Sequence, residues 1–207
     1  MSDSRLRDLE RGFRETGSSE SELLWLQERL RTGDLGQEQA ELAAYCGHDA
    51  LRLVVGDQAA PLGYRRWARG LSRWPSACQL ACALAVRFVG DWHGSELAGL
   101  PAEVGAAIHI SEASLSGFRS WSTEHLCEVS RDLLEVVHRS TEPAVKACGW
   151  TAYYAVICLL CEQGGQRGHC AEESVRSVKR AAGVSGVAEL RATIALAAIA
   201  GVPDSSR

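Results

Sequence analysis

The residues best equipped for chemistry are cysteines. Cys158-x-x-Cys161 is followed by His169-Cys170, which supplies four sulfur and nitrogen donors close together. Thiolates are soft ligands that lose their protons on binding, and a structural zinc takes four such donors in a tetrahedron. The segment 163–168 would have to fold back to close that site. Core packing is the competing reading, because Cys158 and Cys161 sit in an apolar stretch and cysteine is among the most buried residue types. Adjacent His169 and Cys170 also point inward together only through a sharp turn. Cys78 and Cys82 stand four apart among Ala77, Ala81, Ala83 and Ala85, so they read as small core residues on one helix face.

A nucleophilic cysteine would need a histidine base in reach. His48 follows Cys46 and His125 precedes Cys127, but closeness in sequence does not put catalytic partners together in space. No familiar hydrolase, kinase or redox motif occurs, and neither a G-x-G-x-x-G nor a G-x-x-x-x-G-K-[ST] loop is present. The expectation is a protein with no catalytic residues and no cofactor. The zinc group is the one metal alternative, and an enzyme with a reactive cysteine is a further one.

The strongest binding signature lies at Arg65, Trp67, Arg69 and Arg73. The arginines recur every four residues on one face of a helix over 64–74, and Trp67, Leu71 and Trp74 occupy the other. Guanidinium groups pair with carboxylates or phosphates, and tryptophan anchors interfaces. The plainer reading is an amphipathic helix whose arginines are solvated or paired within the chain.

These residues need elements to hold them. The 207 residues hold 46% apolar and 23% charged side chains, a globular balance. The 29 alanines favour helices, because Ala loses no side-chain entropy on entering one. Apolar spacing predicts helices over 4–14, 19–31, 37–46, 49–55, 64–74, 75–89, 102–109, 122–139, 142–162, 170–182 and 187–200. Ser19 to Glu22 has the form of a capping box, and Thr141 is the expected cap of the helix that follows it. Loops are expected at 56–63, 111–120 and 164–168. No stretch alternates as a strand does. The predicted fold is all-α, about nine or ten helices in stacked hairpins, with an N-terminal four-helix module over 1–56 and an Ala- and Cys-rich helical domain over 64–207. A faint echo links Cys46-Gly47-His48-Asp49-Ala50 to Cys148-Gly149-Trp150-Thr151-Ala152.

Charge is uneven. Residues 1–60 carry a net of −5, 61–90 +5, 91–145 −6 and 146–207 +2, giving −4 for the chain. This acidic total argues against a nucleic-acid partner, and the alternation can build complementary faces. No run reaches the roughly 18 consecutive apolar residues of a membrane span. The charged start MSDSRLRDLERGF lacks the apolar core of a secretory signal, so a cytoplasmic location with reduced thiols is expected.

Residues 11–17 (RGFRETG), 26–33 (LQERLRTG) and 42–48 (LAAYCGH) together resemble a short helical module at the start of many uncharacterised bacterial proteins. That likeness covers about residues 5–56. Residues 67–74 (WARGLSRW), 78–89 and 144–160 resemble the Ala-rich helical domain of bacterial immunity proteins. The resemblance implies an all-helical adaptor or inhibitor without an active site. The expected function is therefore binding to another protein and acting by occlusion, through Arg65, Trp67, Arg69 and Arg73.

Overall fold

In the computed structural model of the protein, residues 2–56, 63–93, 100–115 and 121–200 are described. Among them are ten α-helices, one short 3₁₀ turn and no strand, the all-α class that the spacing predicts. Contacts divide the described chain into two units, one of residues 2–56 with 191–200 and one of residues 63–190.

The first unit opens with α1 (Ser2–Thr16), α2 (Ser19–Thr32), α3 (Gln37–Tyr45) and α4 (Asp49–Val55). Ser18, not Ser19, caps α2: it has the extended backbone a cap requires, and its hydroxyl accepts from the Ser21 amide at 3.1 Å. Leu26, Leu35 and Leu51 are buried with Ala40, Ala43 and Ala44. Phe13 of α1 stacks on Trp25 of α2 at 5.3 Å. Glu28 is buried, and its carboxylate accepts two hydrogen bonds from Arg31 at 2.9 and 2.6 Å, with Arg5 at 3.8 Å. Those Arg31 bonds hold the Glu28 carboxyl below the usual carboxylate range.

The second unit contains α5 (Tyr64–Gly70), the 3₁₀ turn Leu71–Arg73, α6 (Pro75–His93), α7 (Ala102–Leu115), α8 (Thr123–Arg139), α9 (Pro143–Leu160) and the first part of α10 (Gly164–Ala200). Helix α9 is central and packs on α6, α7 and α8. Both α9 and α10 are long and apolar enough to cross a membrane by length and composition, but half of that stretch in α9 is buried within the protein, as in a core helix. Leu126, Val129, Leu133 and Val137 of α8 form the buried stripe that their spacing predicts.

Several boundaries differ from expectation. Helix α7 continues through the start of the expected 111–120 loop to Leu115. The Ser111 and Ser114 hydroxyls donate to the Ala107 and Ile110 carbonyls at 2.8 Å each, which satisfies them inside a helix. Residues 116–120 lie outside the described residues, as do 57–62 of the expected linker. Glu142 rather than Thr141 is the N-cap residue of α9, and its amide donates to the Ser140 hydroxyl at 3.1 Å. The expected loop 164–168 is the first turn and a half of α10. The chain needs glycine there because α10 approaches the end of α5 and the 3₁₀ turn closely: a Cβ on Gly168 would sit 2.8 Å from the Arg69 carbonyl oxygen and 3.1 Å from Ser72 Cβ. Near the expected break between 182 and 187, α10 is interrupted at Gly183 (φ 70°).

The echo between Gly47 and Gly149 has no structural counterpart. Gly47 turns the chain between α3 and α4 with φ 98°. Gly149 lies inside α9, where a Cβ would meet Val137 Cγ2 at 2.5 Å, so it permits close packing of α8 on α9.

Candidate functional site

The expected helix 64–74 is α-helical only to Gly70, so Arg65 and Arg69 lie on α5 and Arg73 in the 3₁₀ turn; the first two are engaged within the unit. Arg69 donates from Nε at 3.0 Å and from Nη2 at 2.6 Å to one oxygen of Glu172 on α10. Arg65 and Arg176 approach the other oxygen, each at 3.7 Å. Glu172 is only 3% exposed, so three guanidiniums surround one buried carboxylate. Lys179 lies 4.4 Å from the centre of the Tyr64 ring, and the Arg65 hydrogen bond holds the Tyr64 phenol below its usual range. Arg73 is exposed. Trp67 is fully buried with Leu71 and Ala68, which corrects its assignment as a contact residue. The apolar face that made it look like an anchor is the face the fold covers.

The four expected zinc donors are not brought together. Cys158 and Cys170 are buried, and the Cys161 and Cys170 sulfurs are 4.0 Å apart. The Cys158 thiol instead faces Cys82 of α6. His169 is exposed, with its ring edge-on to Tyr154 at 6.2 Å. Among the described residues no group of three or more His, Cys, Asp or Glu side chains is arranged to hold a metal ion. Cys78 and Cys82 are completely buried beside Ala77 and Ala81, the small-residue packing that their spacing suggests.

Burial sets the chemistry of these thiols. It pushes Cys78, Cys161 and Cys170 above the ordinary thiol range, and the facing Cys82 thiol, followed by burial, does the same for Cys158. A protonated thiol is a poor nucleophile. The histidines near the remaining cysteines face other groups: His48 Nε2 is 3.4 Å from Glu22 Oε1, and His125 stacks on Trp121 at 5.3 Å.

Two clefts open on the surface of the second unit. The larger, about 750 Å³, lies where α7, the end of α8 and the start of α9 meet. Among the described residues Glu103, Asp132, Glu135 and Glu142 line it, and Arg139 is its one cation. Asp132, Glu135 and Arg139 share a face of α8 because they are three, four and seven apart. Arg139 is already paired with Glu135 on the next turn. The cleft therefore keeps a net charge of −3, over a short apolar floor of Val136 and Val145. No single motif marks it in the sequence, because its walls come from three helices. The signal that could have located it is the −6 block over 91–145, from which all its charged residues come.

The smaller cleft, about 410 Å³, has the opposite character. Lys146 of α9 and Arg180 of α10 stand at it, and no carboxylate lines it among the described residues. Trp150, Pro143, Ala147 and Ala181 give it an apolar wall.

No protein-family model, no curated protein and no solved structure matches this chain.

Proposed function

We propose that this chain is a non-catalytic, protein-binding helical protein, an adaptor or immunity-type inhibitor that acts in the cytoplasm by occlusion. Its contact surface is the acidic cleft of α7, α8 and α9, and its partner presents a basic segment. The observation that carries this reading is four carboxylates around one cleft whose only arginine among the described residues is already paired. A cleft lined by one sign of charge focuses the field and steers an oppositely charged partner. The same charge repels phosphate backbones. Arg65 and Arg69, committed to Glu172, serve this reading as a brace that fixes α5 on α10 within the unit.

The test is fluorescence anisotropy of a labelled Arg- and Lys-rich peptide titrated with the protein. Saturable binding is expected that weakens as salt rises, because exposed charges are screened. Charge reversal by Glu103→Lys with Asp132→Lys should remove it. Equal binding by that double variant would overturn the assignment.

A further inference from the structure

We propose that the smaller cleft, between α6, α9 and α10, is a binding site for a small aromatic carboxylate. Three observations converge on it. The first is charge. Lys146 and Arg180 are both exposed at the cleft, and neither is paired with a carboxylate among the described residues. Four other arginines of this unit are handled differently: Arg65, Arg69, Arg139 and Arg176 lie against glutamates. A guanidinium and an ammonium on two different helices, with no carboxylate between them among the described residues, suit one carboxylate, which accepts a forked pair from the first and a point charge from the second.

The second observation is the wall. Trp150 is half-buried, and its ring is braced by Tyr154 at 6.1 Å, Tyr153 at 5.8 Å and His138 at 5.9 Å. A ring fixed on several sides offers a preorganised flat surface to a planar guest. The alanines and the proline beside it add apolar contact, and His93 and Ser177 complete the lining. The third is size. At about 410 Å³ the cleft falls in the lower part of the range of small-molecule sites and suits one or two fused rings. The bulk of the ligand lies against Trp150, and its carboxylate faces out to Lys146 and Arg180.

Isothermal titration calorimetry of the full chain with naphthoate tests this, with naphthalenemethanol as the neutral analogue and acetate as the charge alone. Naphthoate should bind once per chain, and each control at least about tenfold more weakly, the loss expected when one charge-assisted contact or the ring contact is removed. Lys146→Gln and Arg180→Gln should each weaken naphthoate about tenfold, because each removes one charge-assisted hydrogen bond. Both positions are exposed, so unchanged thermal midpoints confirm that the variants stay folded. The inference is overturned if naphthoate gives no saturable heat at millimolar concentration, if the alcohol binds equally well, or if Lys146→Gln combined with Arg180→Gln keeps wild-type affinity.

Discussion

Arg69 on α5 and Glu172 on α10 are 103 residues apart in the chain and joined by two hydrogen bonds of 3.0 and 2.6 Å. The two partners are unequal: the carboxylate is 4% exposed and the guanidinium 68%. Removing the arginine leaves a buried charge with only the longer contacts to Arg65 and Arg176. Replacing the glutamate lets an exposed guanidinium return to water. Arg69→Ala should therefore destabilise by about 2 kcal/mol and Glu172→Gln by about 1 kcal/mol, since breaking a pair is worst when the buried partner is stranded. Urea unfolding of the two variants checks the order, and a larger loss for Glu172→Gln would contradict it.

Gly168 and Gly165 lie three apart at the start of α10 but face different surroundings. A Cβ on Gly168 would press on the Arg69 carbonyl and on Ser72 Cβ at 3.1 Å, whereas one on Gly165 meets nothing within 4 Å. Alanine gains up to about 1 kcal/mol over glycine in a helix. At 168 the backbone clash outweighs that gain, so Gly168→Ala should lose about 1–3 kcal/mol, the range for overpacking. Gly165→Ala should be neutral or stabilising. Thermal melts of both variants separate the two effects.

Glu28 gives the first unit an acid-sensitive contact. Its folded pKa is lowered by Arg31, so the pairing stabilises the protein above the unfolded carboxyl value of about 4.3 and is lost as pH falls through the lower folded value. Glu28→Gln should lower the melting temperature at pH 7, and the gap from wild type should shrink below about pH 4. A gap that is constant between pH 7 and pH 3 would show that the charge is not what Arg31 holds.

Of the eight cysteines, only Cys127 is exposed. Ellman's reagent at neutral pH should therefore label one thiol quickly, and the other seven only on unfolding. Cys127→Ser should abolish the fast phase. A fast phase that persists would reveal an activated buried thiol and reopen the reactive-cysteine reading.

Much of the fold was legible in the sequence because helical burial writes itself as a period. The stripe from Leu126 to Val137 and the helix Asp49–Val55 were readable for that reason. Periodicity names a helix's apolar face, but not what covers it. Trp67 looks like an anchor beside the arginines, although its own face marks it for the core. Glycine-rich 164–168 looked like a loop because its reason for being glycine is a neighbour, the Arg69 carbonyl, almost a hundred residues earlier. The four zinc donors were adjacent in sequence, but helix geometry turned His169 outward and set Cys158 against Cys82. The acidic cleft left only a charge imbalance in the sequence, because Glu103, Asp132 and Glu142 meet through packing of three helices.

The acidic cleft is tested most directly by mapping where a basic peptide lands. Amide chemical shifts of the labelled protein should be recorded as an Arg- and Lys-rich peptide is added. The expected changes cluster at Glu103, Asp132, Glu135, Arg139 and Glu142, and shrink together as salt is raised. Changes centred on Arg65 to Arg73, or none at all at saturating peptide, would contradict the account.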